Sequence, residues 1–264
     1  AHTEGASPVV MAAEAVAADE DLGASSWNGA SLTLARQGGA NADDRFSASG
    51  TLGALTTGAA LVVDGVTIGS VSNNGGGSLV LSFDANASTA RVNAALRQIA
   101  YAHASDAPPA SVVLAWSLGD GNTGAQGAGG ALTASATTTV TITATNDAPV
   151  LGFVGGGATY TENAGAVRLA PSATVSDADS ANFDGGRMVV SIAANGQAED
   201  RLAIAHTGNG AGQIGVSGAI VSYGGVQIGT AAGGGDGSTP LVITLNSQAT
   251  VAAVQALARN ITYA

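Results

Sequence analysis

The chain has 264 residues, of which 39 are glycine and only 4% are aromatic, so large core side chains are scarce. Its formal net charge is −11 and all eight basic residues are arginines, which excludes a phosphate-neutralising surface for nucleic acid. The chain has no cysteine, and disulfides and thiolate metal sites are therefore excluded.

The first half of the chain reads as a series of short strands interrupted by one helix. Asp64-Gly65 is the turn pair that favours a tight hairpin. Ser88 or Thr89 can cap a helix that runs through Gln98, with Val92, Leu96 and Ile99 on one face. The predicted strands are Ser31–Ala35, Arg45–Ala48, Leu61–Val63, Val66–Ile68, Leu79–Phe83, Val112–Leu118 and Thr137–Ala144.

Many short strands separated by turn signals predict an all-β fold of antiparallel β-sandwich modules. The helix is the one non-β element of a module. Flexible loops are predicted at the glycine-rich stretches Asn73–Gly77, Gly124–Gly130, Gly155–Gly157 and Gly233–Gly237. None of these stretches lies between a strand and a helix, as a phosphate-binding loop requires, so nucleotide binding is not expected.

The chain contains an internal repeat. Leu79–Ala102 matches Leu241–Ala264 without a gap, and Trp27 aligns with Phe183. Charged residues align as well: Asp44-Arg45 with Asp200-Arg201, Glu4 with Glu162, Asp19 with Asp177, and Asp21 with Asp179. We therefore predict two copies of one module, over residues 1–147 and 148–264.

Neither predicted module is complete. Copy one lacks a first strand like Val150–Val154, and copy two lacks the counterpart of His103–Ala144. Missing strands would leave unpaired sheet edges. Two explanations stay open: the chain is a piece of a longer array, or a neighbouring chain supplies the strands and builds a fibre.

Acidic residues gather around the joint Thr145–Val150. Strand parity predicts acids at both poles of each module, and stacking two modules brings one pole of each together. Clustered carboxylates repel one another without a counter-charge, and oxygen ligands suit Ca²⁺. The alternative is that the Asp-Ala-Asp-Ser sequence forms an ordinary polar turn. The candidate ligands are Glu4, Asp19, Asp21, Asp106, Asp120, Asn146, Asp147, Glu162, Asp177, Asp179, Asn182 and Asp184.

The order of these motifs, TEN, then DADSANFD, then a strand that ends in TNDAPV, resembles the cadherin-like repeats of large bacterial surface adhesins. In cadherins three such elements share interdomain Ca²⁺. The resemblance implies that Glu4 and Glu162 match the first element. It assigns Asp177, Asp179 and Asn182 to the second, and Asn146, Asp147 and Pro149 to the third. The cadherin Asp-Arg-Glu element is absent, and Asp106 takes its place by position alone.

Other candidate sites are read as structural. His2, His103 and His206 share no motif spacing and are predicted to be surface or strand residues. Asp44-Arg45 and Asp200-Arg201 suggest a turn with a local ion pair, rather than a second cation site. Trp27 and Phe183 are predicted to fill the core rather than to stack on sugars. The chain has no nucleophile motif, so no hydrolase is expected.

These observations predict a non-enzymatic structural repeat of a secreted bacterial surface adhesin or extracellular fibre, stiffened by Ca²⁺ at the joint. The alternatives are a glycan- or protein-binding adhesin module, or a strand-exchanging filament subunit. The expected partners are calcium and neighbouring repeats, and neither nucleic acid nor a membrane span is expected. The expected location is extracellular, at the bacterial cell surface.

Overall fold

The computed structural model describes residues 1–22, 26–124, 129–153 and 157–264. Strands account for 40% of the chain and helices for 7%, so the fold is all-β with sandwich-like antiparallel sheets, as predicted. The chain divides into two compact units, unit 1 (Ala1–Thr145) and unit 2 (Asn146–Ala264), whereas the sequence suggested a boundary after residue 147. The predicted loops at 124–130 and 155–157, and the end of the predicted strand at 150–154, lie partly outside the described residues.

Unit 1 contains a seven-stranded sheet and a three-stranded sheet. Its elements are β1 (His2–Thr3), β2 (Val9–Val10), β3 (Ser31–Arg36), β4 (Asp44–Ala48), β5 (Ala60–Val63), β6 (Val66–Gly75), β7 (Ser78–Phe83), α1 (Thr89–Gln98), β8 (Ile99–His103), β9 (Ser111–Gly119) and β10 (Thr133–Thr143). The strand order is β1-β10-β9-β3-β7-β6-β5 in the larger sheet and β2-β8-β4 in the smaller one. The β1–β10 pair is parallel.

The core of unit 1 follows from alternation along the strands. In β7 every second residue is buried, so Leu79 and Leu81 point inward. One hydrophobic cluster joins these leucines to Phe46 and Tyr101 of the smaller sheet and to helix α1. The side chain of Ser88 accepts a hydrogen bond from the N–H of Arg91 and caps α1, as predicted.

Two tight hairpins shape the edge of the larger sheet. Asp64 and Gly65 both have positive φ angles and join β5 to β6, which confirms the predicted turn. The stretch predicted as a loop at 73–77 is instead part of a second hairpin. Strand β6 continues to Gly75, and Gly76 and Gly77 form the turn to β7, each with positive φ. The prediction failed because asparagine and glycine occur in this strand end as well as in its turn.

Unit 2 is built from smaller sheets. Its elements are β11 (Val150–Gly152), β12 (Val167–Arg168), β13 (Thr174–Ser176), β14 (Arg187–Val190), β15 (Leu202–Ile204), β16 (Ile214–Ser217), β17 (Ile220–Tyr223), β18 (Val226–Ala232), β19 (Leu241–Leu245), α2 (Val251–Ala258) and β20 (Ile261–Tyr263). The sheets have the orders β14-β19-β18-β17-β16, β12-β20-β15 and β11-β13. Within the described ranges, no helix is both long and apolar enough to cross a membrane.

The same hydrogen bonds recur in both units at positions that the internal repeat aligns. The Arg97 guanidinium donates to the carbonyl of Ala15 at 2.7 Å, and Arg259 donates to Ala173 at the same distance. These bonds tie the end of each helix to the segment that follows the short strand β2 in unit 1 and β12 in unit 2. Backbone bonds recur in the same way, from Met11 to Ile99 and from Leu169 to Ile261. The two units therefore share equivalent contacts at aligned positions, as expected for two copies of one module.

Candidate functional site

Glu4 is held at the end of unit 1. It lies in a turn in which Ala6 donates to Thr3, and Gly5 has a φ of 68°. The N–H of Glu4 donates to the carbonyl of Thr143, and its carboxylate accepts the N–H of Thr145 at 2.9 Å. Only 9% of Glu4 is exposed. The carboxylate is thus fixed beside the last residues of unit 1.

A second carboxylate of unit 1 approaches Glu4. Asp106 is exposed in the loop between β8 and β9, and carboxylate oxygens of Asp106 and Glu4 lie within 4.8 Å of one another. Two like charges at about this distance repel by roughly 1 kcal/mol even in water. A bound cation would remove that cost, and carboxylate oxygens are the ligands that a hard cation prefers.

In unit 2 the aspartates at the start of the unit are joined by hydrogen bonds. The N–H of Asp147 donates to the Asp179 carboxylate at 3.1 Å, and Asn146 donates to the Asp147 carbonyl at 2.9 Å. Asp179 is exposed and also accepts from the Ser180 hydroxyl. The Asp179 carboxylate therefore holds the first residues of unit 2 in place.

The aspartate turns have the same geometry in the two units. Asp19 accepts the N–H groups of Asp21 and Leu22, and Asp177 accepts those of Asp179 and Ser180. This is the ordinary polar turn that was the alternative to a metal site at these positions.

The turn also affects the charge of Asp177. Desolvation acts to raise the pKa of the Asp177 carboxyl, but hydrogen bonds from Ser180 and Asp179 outweigh it and the pKa lies below its ordinary value. The carboxylate therefore remains charged at neutral pH.

The other predicted ligands are spread through both units. Asp120 accepts the N–H groups of Asn122 and Leu132, which closes the loop between β9 and β10. Asn182 accepts the N–H of Asp184. Three further candidates are exposed: Asp21, Glu162 and Asp184. Within the described residues of either unit taken alone, no three carboxylates approach one another within 4.8 Å.

A buried ionic cluster in unit 1 was not predicted. Arg36 of the larger sheet makes two hydrogen bonds to Asp44 of the smaller sheet, at 2.8 and 3.0 Å. The sequence pattern suggested a pair between Asp44 and Arg45, but Arg45 makes only a long contact, of 3.4 Å, with the Asp44 carbonyl. Arg45 directly follows Asp44 in β4, where successive side chains point to opposite faces, so it points away from the Asp44 carboxylate. Arg36 approaches from the other sheet and binds both carboxylate oxygens with its planar guanidinium. This ion pair ties the two sheets together.

Tyr101 completes this cluster. Its hydroxyl donates to Asp44 at 2.7 Å, and burial together with this bond raises the pKa of Tyr101. Unit 2 keeps the equivalent bond, from Tyr263 to Asp200, which lowers the pKa of Asp200. The position that aligns with Arg36 is Ile192, so unit 2 lacks the arginine. The repetition of Asp44 and Tyr101 in the aligned sequences was the signal available for this contact.

The histidines have separate roles. His2 is buried in β1, where its ring meets Tyr101 edge-on, and within the described residues neither ring nitrogen has a hydrogen-bond partner. His103 is buried beside Arg36, and burial lowers its pKa. His206 is exposed and accepts the N–H of Val216. Within the described residues, none of the three histidines belongs to a group of three potential metal ligands.

Trp27 belongs to the core, as predicted. Trp27 is 2% exposed, and its indole N–H donates to Thr89 at 3.1 Å. Trp116 is also buried, in β9. Phe183, the counterpart of Trp27, packs against the core of unit 2 and is half-buried. Trp27 therefore presents no ring face to a sugar.

Comparison of the chain with protein-family models, with curated proteins and with solved structures found no match.

Proposed function

We propose that this chain is a non-enzymatic structural repeat of a secreted bacterial surface adhesin or extracellular fibre, in which Ca²⁺ stiffens the joint between units 1 and 2. One observation carries the proposal. The N–H of Thr145 is bound by Glu4 of unit 1, and the N–H of Asp147, two residues later, is bound by Asp179 of unit 2. Each unit thus directs a carboxylate at the same short linker.

Chain connectivity supports a shared site. Consecutive Cα atoms are about 3.8 Å apart, so Asp147 begins at most about 7.6 Å from the Cα of Thr145. The Asp147 carboxylate is therefore within reach of the ligands around Thr145, where Glu4 and Asp106 already face one another. Ca²⁺ takes six to eight oxygen ligands, often including water. In this proposal Glu4, Asp106 and Asp147 supply the central carboxylates.

The remaining predicted ligands extend the same proposal. Asp177 and Asp179 lie on the turn that binds the linker, and Asn146 neighbours Asp147. The resemblance of the TEN, DADSANFD and TNDAPV motifs to cadherin-like repeats points to the same ligands. The equivalent turn at Asp19 would serve a joint on the other side of unit 1.

The expected affinity follows from the setting. Extracellular modules bind Ca²⁺ with dissociation constants of roughly 0.1 to 1 mM. At a free concentration ten times the dissociation constant, binding stabilises the bound arrangement by about 1.4 kcal/mol. That is enough to favour one orientation of the units about tenfold. The ion would thus act on bending of the chain more than on the folding of either unit.

The test measures the spread of distances between the units. The native chain has no cysteine, so spin labels attach only at introduced cysteines. Thr137→Cys in unit 1 and Ala219→Cys in unit 2 place them at exposed positions. We expect the distance distribution to narrow on adding Ca²⁺ and to broaden with EDTA. Asp147→Asn and Asp179→Asn should abolish the narrowing, because each removes a charged ligand while retaining side-chain size.

Glu199→Gln is the matched control, because Glu199 is exposed and far from the linker in sequence. It removes one negative charge and should leave the calcium response unchanged. A distribution of the same width in Ca²⁺ and EDTA would refute the proposal. A loss of the response in Glu199→Gln equal to that in Asp179→Asn would show only a general charge effect.

A further inference from the structure

Strand β14 occupies an edge of its sheet. It pairs with β19 from Arg187 to Val190, and in the part of the chain that the structure describes no strand lies on its other side. Its equivalent in unit 1 is β3, which pairs with β7 on one side and with β9 on the other. The internal repeat thus shows which strand unit 1 places at the equivalent edge.

The buried faces of the two strands differ accordingly. In unit 1, Leu32 and Leu34 are 1% and 0% exposed. Their counterparts in unit 2, Met188 and Val190, are only half-buried. In unit 1, strand β9 lies beside β3 and contributes Val112, Leu114 and Trp116 to the same core as these leucines.

An apolar groove lies beside β14 in unit 2. It has a volume of about 560 Å³ and is lined on one side by Met188 and Val190. Leu151 and Phe153 also line it and are exposed by 49% and 65%. The backbone groups of the strand edge and this apolar surface together form the two recognition elements of β-strand addition, hydrogen bonds and side-chain pockets.

The backbone geometry identifies the groups that face outward. The carbonyl of Gly186 accepts the N–H of Leu245 of β19, so residue 186 faces that strand. Because direction alternates along a strand, the N–H and carbonyl of Val189 face the open edge. In unit 1 the aligned residue is Thr33, which pairs with Ser117 of β9.

We propose that the β14 edge binds an extended polypeptide segment with the apolar pattern of β9. The segment pairs antiparallel with β14 and places a large apolar side chain opposite Val190, as Trp116 lies opposite Leu34 in unit 1. Such pairing satisfies the outward backbone groups of β14 and covers Met188 and Val190. It uses residues of unit 2 that take no part in the proposed calcium site.

The probe is a fluorescent peptide with the sequence of residues 109–119, extended by charged residues for solubility. Its binding to the full chain is measured by anisotropy in EDTA, which separates this test from that of the calcium site. We expect saturable binding and slower hydrogen exchange at the Val189 amide. A peptide with Asp in place of Trp116 should bind at least tenfold more weakly.

Val189→Pro supplies the decisive variant, because proline removes the outward N–H while leaving the β14–β19 bonds in place. The matched control is Val189→Thr, which introduces the residue that unit 1 carries at this position. We expect Val189→Thr to bind the peptide normally and Val189→Pro to lose at least tenfold in affinity.

Thermal melting shows whether each variant is folded. Were Val189→Pro to unfold unit 2, hydrogen exchange at Val189 in the parent chain would decide, since a bound strand must slow it. Absence of peptide binding overturns the proposal, as does binding that Val189→Pro leaves unchanged. Self-association that only Val189→Pro abolishes, without peptide binding, would assign the edge to a second copy of the chain instead.

Discussion

Replacing Asp44 by alanine tests whether the buried ion pair holds the two sheets of unit 1 together. The change leaves Tyr101, which is fully buried, without an acceptor for its hydroxyl, and it leaves Arg36 without its partner. Breaking a buried pair costs about 3 to 5 kcal/mol. The side chain of Arg36 is 22% exposed and can reach water. We therefore place the loss near the lower limit, at about 3 kcal/mol.

The two tryptophans make this loss measurable. Trp27 and Trp116 both lie in unit 1, so intrinsic tryptophan fluorescence reports the unfolding of that unit within the full chain. For a domain of this size, 1 kcal/mol corresponds to about 2 to 4 °C in Tm. We expect Asp44→Ala to lower the fluorescence-detected Tm by about 6 to 12 °C.

Unit 2 provides the control. Asp200→Ala removes the equivalent carboxylate, which is bonded to Tyr263 but has no arginine partner, since Ile192 stands at that position. We expect Asp200→Ala to lower the stability of unit 2 by less than 3 kcal/mol, measured by circular dichroism. The fluorescence-detected Tm of unit 1 should not change. If Asp44→Ala left unit 1 as stable as before, the reasoning about the buried pair would be refuted.

Two further predictions concern unit 1. Burial lowers the pKa of His103, which faces Arg36, Asp43, Asp44 and His2. Below pH 6.5 the unfolded chain therefore binds a proton at His103 more readily than the folded chain does. The stabilisation that is present above pH 6.5 is lost as the pH falls below that value. The fluorescence-detected Tm should therefore drop between pH 7.5 and 5.5. The drop should shrink in His103→Gln but not in His206→Gln, and equal drops in both variants would contradict this assignment. In the β6–β7 turn, Gly76→Ala should cost about 1 to 2 kcal/mol for its positive φ alone. Gly77→Ala should cost clearly more, because its Cβ would clash with the Asn41 carbonyl oxygen, and equal Tm values for the two variants would refute the clash.

Local features of the fold were predictable from the sequence. Alternating apolar residues marked β3 and β7, and Asp64-Gly65 marked a hairpin. The cap at Ser88 was recognisable because a serine precedes an apolar stripe with helical spacing. The end of the helix at Gln98 was also predicted, although Ile99, which was assigned to its apolar face, already begins β8.

Contacts between sheets were harder to predict from the sequence. Arg36 and Asp44 lie only eight residues apart, yet they meet because two different sheets face one another, which no local pattern records. The shortest strands, such as β1 and β12, have two residues each and are too short for alternation to show. At the candidate site, strand parity did anticipate that Glu4 and Asp106 lie together. Calcium binding itself stays a prediction.

The parallel pairing of β1 with β10 has a mechanical consequence. His2 and Thr3 pair with Ile142 and Thr143, and the N–H of Glu4 adds a bond to Thr143. A force that pulls residue 2 and residue 143 apart along the chain slides these parallel strands past one another. The bonds between them then share the load together instead of opening one after another. Unit 1 should for that reason resist stretching better than a sheet whose terminal strands open one bond at a time.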